Sequence, residues 1–110
     1  MTVTVTRRDE ASEADALTEL SNAGFSAEAK DYPPGTTKPH QHDYDICLHI
    51  IEGEFRLNLV DDGDVRRCRP GDRVYVPAGT VHFEDHGPLR IIVGRRPATE
   101  GSEFSNSKGA

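Results

Sequence analysis

The sequence contains no apolar run long enough to cross a bilayer, which takes about 20 residues as a helix, so no membrane partner is expected. It has no excess of positive charge either. Lys and Arg total 13 against 19 Asp and Glu, a formal net charge of -6. Nucleic-acid phosphates demand a basic face, so no nucleic-acid partner is expected. The one basic run, Arg66, Arg67, Arg69 and Arg73, reads better as solvated positions flanking a strand, or as cover for a neighbouring subunit's acidic rim. There are only two cysteines, Cys47 and Cys68, and they form no close pairing motif. They are expected as small, buried or half-buried reduced thiols. The first six residues, Met-Thr-Val-Thr-Val-Thr, lack the apolar stretch of a secretory signal. A cytoplasmic location is the resulting expectation. No internal repeat and no fused DNA-binding helical segment is visible.

What is present fits one domain. A chain of 110 residues can bury roughly 65% of its unfolded surface, enough for a core without disulfide staples. Residues 2–6 alternate Thr and Val, as an edge strand or arm does. Ser12 with Asp15 three residues on reads as a capping box, and Ala14, Leu17 and Leu20 recur at helical spacing before Gly24. One short helix over about residues 13–22 is predicted. Beyond Gly24 the period changes to two. Strands are expected at 25–29, 40–51, 55–59, 65–69, 74–76, 82–86 and 89–93, punctuated by Gly, Pro and Asp turns. Seven or eight short strands at regular spacing mean an antiparallel sandwich or barrel. The predicted organisation is an arm and helix over 1–24, a barrel over 25–96 and a flexible polar tail over 97–110.

Four of the five histidines lie in or just after two segments framed by Gly and Pro: Gly35 to His42, and Gly71 to His82, with His86 just beyond. His40 and His42 are two apart, so on a strand both imidazoles share one face. His82 supplies a third imidazole from a turn-then-strand context. Three neutral imidazoles suit a divalent metal ion without choosing among iron, manganese, zinc and nickel. They leave open positions for water or a ligand. Tyr44, Ile46 and Leu48 share the parity of His40 and His42 and are predicted to line the pocket. Core packing is also a reading for each of them, and the stronger one for Leu48 and Ile50. His86 and Glu84 share the parity of His82. His86 is a candidate fourth ligand, outer partner or general base, against a rim histidine bonded to water. Glu84 is a candidate carboxylate expected near the barrel mouth. His49 has the opposite parity and is expected to face outward or into an interface, with no chemistry. Cys47, His49 and Ile51 make that outer face too apolar for a bare sheet. A homodimer is therefore expected, unless the Leu17/Leu20 helix covers the face within one chain.

These two segments resemble the paired motifs of the cupins. Gly35, four residues, His40-x-His42, three residues, Ile46, six residues and Gly53 follow the first motif, one residue short after the glycine. Gly71, Pro77, Gly79 and His82 match the second at every spacing, with His86 where the motif ends in Asn. The short stretch Glu54 to Pro70 between the motifs is that of small single-domain cupins. The resemblance covers about residues 31–95. It implies an all-β, antiparallel jelly-roll barrel holding a metal on His40, His42 and His82. Ile46 stands where many cupins carry a glutamate ligand, so no carboxylate is expected from the first motif. Asp45 is adjacent, but strand alternation turns it to the other face unless a bulge intervenes. The resemblance further implies a small-molecule ligand or substrate, with dioxygenase-like chemistry or Lewis-acid isomerase or lyase chemistry. A non-catalytic ligand-binding or sensing module is the alternative.

Overall fold

The computed structural model describes residues 3–7 and 12–98. Its elements in chain order are β1 (Thr4–Arg7), α1 (Glu13–Asn22), β2 (Ser26–Tyr32), β3 (Gly35–Thr36), β4 (Tyr44–Glu52), β5 (Phe55–Leu59), β6 (Val65–Cys68), β7 (Asp72–Val76), β8 (His82–His86) and β9 (Leu89–Pro97). Two antiparallel sheets face each other. One has the order β1-β7-β4-β9-β2 and the other β3-β8-β5-β6. This is the jelly-roll arrangement with one short helix. The tail expected over 97–110 lies outside the described residues apart from Pro97, which ends β9, and Ala98. None of the described helices is long and apolar enough to cross a membrane.

Period-two patterning places the core between the sheets. Ile46, Leu48 and Ile50 of β4, Val74 and Val76 of β7, and Leu89, Ile91 and Val93 of β9 meet Phe55, Leu57 and Leu59 of β5. The outer face of β4 is also buried, which is why its sequence reads as an almost unbroken apolar run. Here α1 lays Ala16 and Leu20 over Phe25, Cys47 and Ile92. Of the two explanations open for the apolar outer set, cover by the helix within one chain is the one found. The helix begins as expected, with the Ser12 side chain accepting from the Asp15 N–H at 3.2 Å. Its buried face differs by one position. Ala16, not Ala14, is buried with Leu20, and Leu17 is only half-buried. An ion pair between Arg73 on β7 and Glu19 at 2.6 Å ties helix to sheet, so Arg73 is not a solvated residue of a basic stripe. Arg66 pairs with Asp64 at 2.7 Å.

The N-terminal arm belongs to the sheet: β1 pairs with β7 in the same chain. Gly53 closes the β4–β5 turn at φ +93°, and a Cβ there would collide with the Pro88 carbonyl oxygen. That conformation and that contact both require glycine. Both cysteines are free and buried. Burial pushes each thiol up to about 11, so neither is a reactive nucleophile at neutral pH.

Candidate metal centre

His40 and His42 lie in an irregular segment between β3 and β4, not on the long strand expected from residue 40. Pro39, which lacks an N–H, breaks regular pairing just before His40. What places His40 is an isolated antiparallel bridge to His82. Each residue's N–H donates to the other's carbonyl at 2.9 Å. His42 is held by its carbonyl, which accepts from the Gly79 N–H at 2.8 Å. Gly79 adopts φ +85°, a conformation glycine takes without strain. The two motifs are therefore stitched together by backbone bonds made at the histidines themselves.

The rings converge. Centroids are 4.5 Å apart for His40 and His82, 5.0 Å for His40 and His42, and 5.7 Å for His42 and His82. One ring nitrogen from each lies within 4.8 Å of the others, close enough for small ring rotations to meet on one ion. The hydrogen bonds also decide tautomers. Nδ1 of His40 faces the Lys38 carbonyl at 2.6 Å, and Nδ1 of His82 faces the Thr80 carbonyl at 2.8 Å. A carbonyl only accepts, so both Nδ1 atoms carry the proton and donate. With Nδ1 committed, it is Nε2 of each ring that is left for a metal, once any proton there is released. Each of these carbonyls belongs to the residue two before its histidine, a local signal that motif spacing does not reveal.

Glu84 enters this cluster more closely than its sequence position suggested. Its Oε2 lies 2.9 Å from His82 Nε2 and 3.5 Å from His40 Nε2. Its Oε1 accepts from the Thr37 hydroxyl at 2.9 Å, and that hydroxyl accepts in turn from the Glu84 N–H at 2.9 Å. His86 lies four residues along the strand, about 13 Å away at the Cα. It bonds the Gly87 carbonyl through Nδ1 at 2.9 Å and sits beside Tyr32 and Phe55. It is outside the three-histidine group, and no contact joins its ring to theirs as the Glu84 carboxylate is joined.

The histidines open onto a cavity of about 210 Å³. Ile46 and Leu48 line it, as expected. Tyr44 does not line it and instead packs its ring 4.9 Å from that of His42. Leu89, Ile91 and Val93 line it from β9, with Arg95 beyond them, all at one parity that the sequence could have shown. His49 lies on the opposite face from the cluster and is buried. Asp45 also faces away. The register shift on β4 falls between Ile50 and Glu52, too far along to turn Asp45 inward. It is fully buried, accepting from the Tyr75 hydroxyl at 3.0 Å and the Ala78 N–H at 2.9 Å, with Arg96 at 3.7 Å.

Burial lowers the His42 pKa, and the charges of His40 and His82 add to that. For His82, burial alone would lower the pKa, but bonds to Glu84 and to the Thr80 carbonyl, with the Glu84 charge, raise it above the ordinary 6.5. For Glu84, burial alone would raise the pKa, but bonds from His82 and Thr37 and the nearby imidazoles lower it below 4.5. The signs follow by linkage. Glu84 stabilises the metal-free fold above about pH 4.5, and that is lost as pH falls further. His82 stabilises it below about pH 6.5, and that is lost as pH rises through its elevated pKa. His42 resists protonation and lowers stability below about pH 6.5. Metal-stripped protein should therefore lose the His82 contribution as pH rises past about 6.5. Stabilisation by an added divalent ion should grow over the same range, where protons no longer compete. Melting curves against pH, with and without Zn(II), check both slopes. An ion effect independent of pH would contradict them.

A family profile described as cupin domain matches residues 30–93. A beta-conglycinin beta subunit from Glycine max is 40% identical over 74 residues, 62% of this chain and 17% of that protein. An acireductone dioxygenase from Parasynechococcus marenigrum is 35% identical over 72 residues, 64% of this chain and 36% of that protein. The chain thus spans well under half the length of these relatives. Among solved structures, a DUF861 family protein from Thermotoga maritima is similar in fold, with a TM-score of 0.61 at 20% identity, covering 84% of this chain and 97% of that one.

Proposed function

We propose, from the premise that this chain belongs to the cupin domain family, that it is a metal-dependent enzyme acting on a small, largely apolar organic substrate. The observation that supports this most is the meeting of three imidazoles at a cavity walled mainly by aliphatic side chains. His40, His42 and His82 would hold one divalent ion, of iron, manganese, zinc or nickel. When bound, the ion supplies Lewis acidity toward a substrate oxygen or, if redox-active, dioxygenase-type chemistry. The acireductone dioxygenase relative supports the second form.

The chain's own residues do the rest. The carbonyls of Lys38 and Thr80 orient two of the rings. Ile46, Leu48, Val76 and Ile91 keep water from the substrate's apolar body. At about 210 Å³ the cavity is smaller than the roughly 300–1,000 Å³ that drug-sized ligands occupy. The substrate is therefore a small metabolite. His86, with Tyr32 and Phe55, contacts its far end, away from the ion. Arg95 places one positive charge on the wall. Homodimerisation stays part of this reading on narrower ground, since α1 covers the outer face and only edge strands such as β1 remain to pair. Reduced buried thiols accord with a cytoplasmic setting.

Elemental analysis of protein purified without added metal tests the reading. About one ion per chain is expected, removable by chelation with a fall in melting temperature. An empty site, with no thermal shift on adding any of the four metals, would instead favour a metal-free binding module.

A further inference from the structure

We propose that Glu84 is a fourth ligand of the metal centre, a carboxylate brought in from the strand of the third histidine and aimed by Thr37. This rests on the three-histidine reading and extends it. The argument begins with lone pairs. Nδ1 of His82 and Nδ1 of His40 are both committed as donors to backbone carbonyls. The Nε2 atoms of both rings are left to face Glu84 Oε2, at 2.9 and 3.5 Å. A ring nitrogen this close to a carboxylate oxygen needs a cation between them, a proton in the metal-free fold or a metal ion when one is bound. A shared proton can bridge His82 and Glu84, but it bridges only two atoms. Here three donor atoms meet, and a metal ion satisfies all three.

The distances agree with that. Two donors about 2.1 Å from one ion lie about 3.0 Å apart at a right angle and about 3.4 Å apart at the tetrahedral angle. The edges 2.9 and 3.5 Å fall on these values. Glu84 is also held for this task. Thr37 occupies Oε1 and takes the Glu84 N–H, while the Thr37 N–H donates to the Glu84 carbonyl at 2.9 Å. One carboxylate oxygen is spoken for, and the other is left to the ion. Meanwhile Ile46, the first-motif position of a ligand glutamate in other cupins, is apolar and lines the cavity. In this chain the carboxylate beside the histidines comes from β8.

The test is Mn(II) titration of chelator-stripped protein, reading affinity and, by water-proton relaxation, the number of waters on the bound ion. Glu84→Ala should weaken Mn(II) by at least the roughly ten- to hundredfold that loss of an outer partner costs and raise the bound-water count by one. A residue that merely braces a ligand would not add a water. Thr37→Val should weaken binding less. Ile46→Glu in the Glu84→Ala background should recover affinity and lower the water count again, because the carboxylate returns from the other strand. If Glu84→Ala does not fold, Glu84→Gln, which keeps the shape and the Thr37 bond, should still show the affinity loss. Wild-type affinity in Glu84→Gln, or an unchanged water count in folded Glu84→Ala, overturns the proposal while leaving the three-histidine site standing. Failure of the wild type to bind Mn(II), Zn(II), Fe(II) or Ni(II) at all overturns both.

Discussion

Replacing His82 with alanine should remove the metal and its share of the stability in one step. His82 is 1% exposed and opens β8, held there by its backbone bridge to His40. Its loss removes the most buried imidazole of the cluster and the ring nitrogen 2.9 Å from Glu84 Oε2, so His40, His42 and Glu84 should hold a labile divalent ion far more weakly. An ion present at 100 to 1,000 times its Kd stabilises the fold by about 3–4 kcal/mol through mass action. For a domain of this size that is on the order of 10–20 °C in melting temperature. In metal-replete buffer His82→Ala should lose about that much, and in chelator it should differ far less from the wild type. His49→Ala is the informative comparison. His49 is buried at 3% exposure, not exposed, so its removal leaves a void and lowers stability. It lies on the far face of β4, however, and the metal content should stay at the wild-type value. Metal analysis with paired melting curves separates the two variants. Full metal stoichiometry in His82→Ala would mean that the histidine spacing reflects barrel architecture alone.

Asp45→Ala should be nearly as damaging, through the scaffold. Asp45 is completely buried, and it holds the Tyr75 hydroxyl, the Ala78 N–H and the Arg96 guanidinium together. Alanine leaves those donors facing a void. Leaving buried hydrogen-bond donors such as the Ala78 N–H without an acceptor costs about 1–3 kcal/mol each. The effect also reaches the site. Ala78 lies in the Pro77–Gly79 turn whose Gly79 N–H holds the His42 carbonyl, and three residues on the chain reaches His82. Losing the anchor should loosen that turn and weaken metal binding as well. Asp45→Asn keeps the acceptor for Ala78 and should lose clearly less. Denaturant unfolding with metal titration of both variants checks the order. Equal stability of Asp45→Ala and wild type would remove Asp45 from the scaffold.

Much of this was legible in the residues. Alternation along β4 puts Ile46, Leu48 and Ile50 inward and Cys47 outward, and it keeps Asp45 away from the histidines. Ser12 caps the helix because its hydroxyl has an orphan N–H to satisfy. What was not legible depends on contacts distant in sequence. The β9 strand runs past Val93 through Gly94 to Pro97, residues that read locally as a loop, because β4 and β2 pair with it on both sides. Gly94 is tolerated there since a Cβ would press on Phe25. The bridge between His40 and His82 replaces the strand that the histidine spacing suggested. The clasp between Thr37 and Glu84 spans 47 residues, and no local pattern encodes it. The carboxylate missing at Ile46 made Glu84 a fallback, but its reach into the cluster from two residues past His82 is set by Thr37 and could not be read locally.

The most direct measurement is anomalous diffraction from crystals grown with Mn(II), recorded so that the ion's own signal locates it. One peak is expected per chain, about 2.0–2.3 Å from a ring nitrogen of each of His40, His42 and His82. No peak among these three histidines at saturating Mn(II), or a fully occupied peak elsewhere with this cluster empty, would contradict a metal centre at the meeting of the two motifs.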